Sequence, residues 1–118
     1  MIQVIRWYFG RLPHAFRGLA AAFSKDRSFR WQVIIGSGGL GGLVWLAWPL
    51  TELEVVLLVA ATVLVLITEL QNSALETTLN RLHPEHHEAI GRAKDMVAAS
   101  VLLSLVFALA VTLYVLFW

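Results

Sequence analysis

The sequence predicts an all-α membrane protein with three transmembrane helices and one amphipathic surface helix, and three observations predict it. Of the 118 residues, 58% are hydrophobic, more than a soluble domain of this length needs to build a core. The apolar residues gather in runs that approach the roughly 20 residues a helix needs to cross the hydrocarbon. The cationic residues are confined to two stretches that these runs separate. A net charge of +1 gives no footing for nucleic acid, and the lack of cysteine excludes disulfides and thiolate metal sites.

The amino-terminal stretch carries the surface helix. Ile5, Phe9, Leu12, Phe16, Leu19 and Phe23 recur in steps of four and three, which is one apolar helical stripe. Arg6, His14 and Arg17 lie off that stripe, so the helix suits the plane of a membrane interface. Pro13 either begins this helix or kinks a longer one, and the main surface helix is expected over about 13–23. Charges scattered among aromatics leave no compact apolar core for a cleavable signal.

The spans are expected at about 33–50, 53–70 and 96–118, in a single domain covering 1–118. The link between the first two is so short that they form a helical hairpin. Gly38 and Gly42 in the first span allow close helix contact, and Ser100, Ser104 and Ala108 repeat the theme in the third. Such packing points to oligomers, because three short spans enclose little protected volume. Trp45, Trp48 and Trp118 are placed for an outer aromatic belt.

Arg6, Arg11, Arg17, Lys25, Arg27 and Arg30 precede the first span, and Arg81, Arg92 and Lys94 lie between the second and third. The hairpin turn and the C-terminus have no cation. The positive-inside rule then puts the N-terminus and the middle loop in the cytoplasm, with the C-terminus outside.

The second span ends in the segment ELQNSALE. Glu69, Asn72, Ser73 and Glu76 fall on one helical face there, and an ionisable side chain at membrane depth is a functional signal. The helix is expected to continue into the cytosol through about Asn80. The following loop carries His83, Glu85, His86, His87 and Glu88 around Pro84, and the segment GRAKDM brings Lys94 and Asp95 to the start of the third span. Glu76 and Asp26 are hard oxygen ligands of the kind magnesium prefers. Lys94 is a point charge suited to a phosphate. Glu69, partly withdrawn from water, suits a general base. A base, a metal pair and a phosphate-binding lysine are the parts phosphoryl transfer requires, although no nucleotide-binding glycine loop is present.

Read singly, each residue has a plainer role. Glu69 could cap a bundle, Glu76 could be a solvated helix residue, and Lys94 and Asp95 could be a boundary anchor and a helix cap. The histidines follow no helical metal-ligand spacing, and Asp26 could be a surface charge between Lys25 and Arg27. Their gathering around one membrane boundary is what favours the joint reading.

These residues resemble the small prokaryotic diacylglycerol kinase family, which includes the undecaprenol kinases of Gram-positive bacteria. The pattern is E-(L/I)-x-N-(S/T)-A-(I/L)-E followed by A-K-D, met here by Glu69, Asn72, Ser73, Ala74 and Glu76, then Ala93, Lys94 and Asp95. The stretch FRGLAAAFSKDRSFR is similar to the family's amino-terminal region. The resemblance implies a homotrimer in the bacterial inner membrane, with sites shared between neighbouring subunits. It makes Glu69 the base for the lipid hydroxyl, and gives Mg2+ on the ATP phosphates to Glu76 and Asp26. It gives the ATP site Asn72, Lys94, Asp95, Glu85, His86 and His87, with His14 where an aromatic residue commonly meets the base. Asp26 stands in place of glutamate and Asn80 in place of aspartate. Trp31 and Gln32 replace a Gln-Glu pair of one branch, with Trp31 assigned to the lipid.

The activity expected is transfer of the ATP γ-phosphoryl group to a membrane lipid hydroxyl. Diacylglycerol is the first choice of acceptor and undecaprenol the runner-up. A reading of another class is a small proton-coupled transporter or a silent assembly subunit. Against transport, Glu69 lies at one end of its span, away from the midplane where transporter sites lie.

Overall fold

Pro13 divides the amino-terminal stripe in two. Proline has no N–H to give the carbonyl four residues back, which is that of Phe9. In the computed structural model, which describes residues 1–118, helix α1 (Ile2–Phe9) ends at that residue. Helix α2 (Leu12–Lys25) starts afresh with the proline in its first turn. The helix expected over 13–23 is therefore α2, and α1 is a separate helix that the continuous stripe concealed. Arg11 lies over the Trp7 ring, 3.7 Å from its centroid, and so covers part of the α1 aromatic surface.

Asp26 ends α2 and begins α3 (Arg27–Ala47). Its backbone is extended, and its carboxylate accepts from the Phe29 amide at 3.1 Å, which is an N-cap. Thr51 starts α4 (Glu52–Leu82) with a reciprocal cap. The Thr51 Oγ1 accepts from the Glu54 amide at 3.3 Å, and the Glu54 carboxylate accepts from the Thr51 amide at 2.7 Å. His87 starts α5 (Glu88–Phe117), its Nδ1 accepting from the Ala89 amide at 3.1 Å.

The helices pack as a bundle in which α4 lies against α5 and α3 against α4, while α2 rests on α3. At the hairpin end, Leu58, Ala61, Val111 and Val115 form an apolar cluster, with Leu40, Leu43 and Ala47 of α3 around it. Midway along, the hydroxyls of Thr68 and Ser104 meet at 2.9 Å, so the buried Ser104 has a cross-helix partner. Only seven of 118 residues are buried, and large apolar side chains cover the outside of every helix. That inverted surface is what an apolar solvent or further protein is needed to cover.

Two helices, α4 and α5, are long and apolar enough to cross a membrane. The expected first span, diluted by its glycines, falls short of that mark. The close contact expected at Gly38 and Gly42 is not made within the chain: a Cβ at either would meet nothing within 4 Å. The helix expected to run on to about Asn80 reaches Leu82.

Candidate active site

Glu69 is one of the two polar residues the bundle buries, with 3% of its surface exposed. Burial of a carboxylate demands hydrogen-bond partners. Both come from the first two turns of α3: the Ser28 hydroxyl donates to Oε1 at 2.9 Å and Gln32 Nε2 donates to Oε2 at 3.3 Å. One turn further along α4, the Ser73 hydroxyl donates to Oδ2 of Asp26. The antiparallel pair is thus tied twice, and the ties set its register.

Asp26 uses both oxygens in these contacts. Burial pushes its carboxyl up, but the Ser73 hydroxyl and the Phe29 and Ser28 amides outweigh it and hold it below the usual carboxylate value. Asn72 has a different environment. Its Oδ1 is buried and has no hydrogen-bond partner within the chain. Glu76, one turn on along the same edge, is exposed. No three acidic or histidine side chains converge on a point. Glu76 and the orphaned Asn72 oxygen are a hard-oxygen set that fits Mg2+ shared with phosphates and water. Asp26 fits less well than expected, because capping and tying already occupy its oxygens.

Lys94 lies beyond this cluster, where its partner Asn80 is eleven residues, about 16 Å, past Glu69 along α4. Its Nζ donates to Asn80 Oδ1 at 2.5 Å, bringing the start of α5 to the end of α4. A hollow of about 190 Å³ beside it is lined by Glu85, His86 and His87, with His83, Ile90 and Gly91. The structure therefore brings together Lys94 and the loop residues expected around the nucleotide. Asp95 is exposed next to this hollow in sequence but does not line it. His14 lies on the exposed α2, bonded to Arg17, and lines no part of it.

A larger groove of about 930 Å³ runs along α3, α4 and α5. Its walls are mostly aliphatic, from Leu43 and Leu58 to Val65 and Leu105, and its polar mouth holds Arg27, Ser28 and Gln32 beside the exposed Trp31. Sequence reasoning missed Ser28 as a partner of Glu69 and had Gln32 only as a departure from a pattern. Their i, i+4 spacing was readable, but which way that face turns is decided by packing on α4.

Comparison with known proteins identifies the family. Residues 13–116 match the family model described as prokaryotic diacylglycerol kinase. The chain is 36% identical over 106 residues to the diacylglycerol kinase of Escherichia coli K12, covering 89% of this chain and 84% of that protein. It is 36% identical over 94 residues to the Haemophilus influenzae diacylglycerol kinase, covering 78% of this chain and 76% of that one. With the Pseudomonas aeruginosa diacylglycerol kinase the identity is 34% over 92 residues, 78% of this chain and 73% of the relative. A match across so much of the chain establishes kinship: the protein belongs to the prokaryotic diacylglycerol kinase family and is a lipid kinase.

Proposed function

We propose that the protein transfers the γ-phosphoryl group of ATP to the primary hydroxyl of a membrane lipid, diacylglycerol before undecaprenol. The observation that carries this reading is the position of Glu69. Its carboxylate is bonded to Ser28 and Gln32, which stand at the polar mouth of an aliphatic groove. A lipid lying in the groove presents its hydroxyl at the mouth and leaves its chains among aliphatic side chains. The names of the relatives favour diacylglycerol.

In this reading Glu69 accepts the hydroxyl proton as the lipid oxygen bonds to the γ-phosphorus. The bond from that phosphorus to the β–γ bridging oxygen breaks, and ADP leaves. Lys94 faces the phosphates, and the loop carrying Glu85, His86 and His87 holds the nucleoside end. Asp95 and His14 complete the nucleotide site, and Trp31 flanks the lipid. Bound Mg2+ supplies neutralisation of phosphate charge, with Glu76 and Asn72 Oδ1 its fitting donors and Asp26 at their flank. Little covalent chemistry falls to the protein, so placement and electrostatics do the work.

The same reading sets α3, α4 and α5 across the bacterial inner membrane as a homotrimer, with the N-terminus and the α4–α5 loop in the cytosol. At 21 residues α3 spans about 31 Å, close to the hydrocarbon thickness, and it meets α4 at both ends of the hairpin. Trimerisation would cover apolar surface that one chain leaves open.

Purified protein in mixed micelles, given ATP, Mg2+ and either diacylglycerol or undecaprenol, tests the reading. Phosphorylated diacylglycerol from the native chain and none from Glu69→Gln is the expected result. Product from undecaprenol alone would reassign the acceptor, and no product from either lipid would remove the proposal.

A further inference from the structure

Glu69 is held on both carboxylate oxygens by a single face of α3. Ser28 and Gln32 are four residues apart, so they stand one above the other on that face. The face is itself fixed. Asp26 caps α3 and accepts from Ser73, one turn beyond Glu69 on α4. As α3 runs forward from Asp26 to Gln32, its partners on α4 run backward from Ser73 to Glu69.

The two donors are neutral. Arg27 is the only charged residue lining the groove, and the α4 and α5 residues on its walls, Leu58 to Leu66 and Leu105 to Thr112, are uncharged. The one ion pair of the chain, Arg92 with Glu88, lies at the start of α5. No cation therefore binds the carboxylate in place, and its direction is left to Ser28 and Gln32. A glutamate side chain has three torsions to fix, and a base aimed wrongly by about 1 Å loses much of its rate. Each carboxylate oxygen has two lone-pair directions, so one donor apiece leaves one accepting direction on each oxygen.

We propose that Ser28 and Gln32 are positioning residues for Glu69, fixing its carboxylate directly behind the mouth of the lipid groove, which they line and Glu69 does not. This rests on the lipid-kinase reading with Glu69 as the base. The role acts on kcat: the pair lines the groove mouth, and its hydrogen bonds to the base are what set it apart from a lipid contact. Removing one hydrogen bond to a charged group is expected to lower kcat about tenfold in Ser28→Ala and in Gln32→Leu, with KM for lipid and for ATP unchanged. Ser28→Thr keeps the hydroxyl and restores the rate. In a Glu69→Asp background the shorter side chain no longer meets either donor, so Ser28→Ala costs less than about twofold there.

Steady-state kinetics of these variants in mixed micelles, with melting temperatures alongside, decide between positioning and binding. Unchanged kcat in both Ser28→Ala and Gln32→Leu overturns the inference. So does a rise in lipid KM alone, which would make the two residues lipid contacts, and so does an undiminished loss in the Glu69→Asp background. Should Ser28→Ala fail to fold, Ser28→Thr and Gln32→Leu decide the question by the same criteria. The native chain and Glu69→Gln run in the same assay. A native chain without lipid product sinks the kinase reading itself, whereas an active native chain, an inactive Glu69→Gln and native-like Ser28 and Gln32 variants sink only the positioning role.

Discussion

The two ends of the α3–α4 pair are joined by different forces. At the hairpin end the contact is an apolar cluster around Leu58 and Ala61, next to the Thr51–Glu54 cap. At the other end it is polar: Ser28 and Gln32 on Glu69, and Ser73 on Asp26. Dispersion between aliphatic groups has little directional preference, whereas a hydrogen bond specifies distance and angle. The apolar end therefore supplies cohesion, and the polar end supplies position. A residue exchanged at the first should cost stability and spare turnover, and an exchange at Glu69 or its two donors should cost turnover far more than stability.

The largest effect expected is at the polar end. Glu69→Gln keeps the shape but cannot take a proton, and lipid phosphorylation should fall about 10²- to 10⁴-fold while the melting temperature in detergent stays near native. A rate within tenfold of native would break the contrast. Lys94→Met should raise KM for ATP about tenfold, since it removes one charge-assisted contact, and binding of a non-hydrolysable ATP analogue measures it directly. At the apolar end, Leu58→Ala should cost about 2 kcal/mol of stability by reversible unfolding, with kcat per folded molecule unchanged at saturating lipid. Loss of turnover without loss of stability there would erase the division. Thr51→Ala should cost about 1 kcal/mol by the same measurement, by removing the cap.

The smallest effect sharpens the contrast through pH. The Asp26 carboxyl lies below its ordinary value, so its contribution to stability is fully present above the unfolded value of about 3.9 and fades as pH falls through the folded one. Stability should therefore show no Asp26-dependent change between neutral pH and about pH 5, and a loss at lower pH that Asp26→Asn abolishes. A difference in slope between the two proteins at neutral pH would show that the carboxylate titrates elsewhere.

Much of the fold is legible in the sequence because helices in this chain announce themselves by apolar length and by breakers. The long helices α4 and α5 and the stripe Glu69, Asn72, Ser73 and Glu76 follow from spacing alone. Other signals are present but point first to something else. Thr51 and Glu54 form a T-x-x-E cap signature, yet the turn reads first as a short link. Asp26 before a helix is an N-cap by residue type, yet its charge points first to metal. The α1–α2 break hides behind an apolar stripe that continues across Gly10 and Arg11, where the backbone stays in the helical region. The pairing of Ser28 with Glu69 is not legible. A serine at a helix start is commonplace, and only the register of α3 against α4 gives it Glu69.

Helix α4 runs without interruption for 31 residues, about 46 Å, from Thr51 at the hairpin to His83 at the loop. Glu69 and Glu76 are therefore mounted on one stiff rod, and their separation is set by helical pitch. Any tilt of that rod carries Glu69 and Glu76 together, so neither can be retuned alone by moving α4. Adjustment to a bulkier or slimmer acceptor has to come from the strut alongside, which makes the opening turns of α3 the natural place for relatives to diverge.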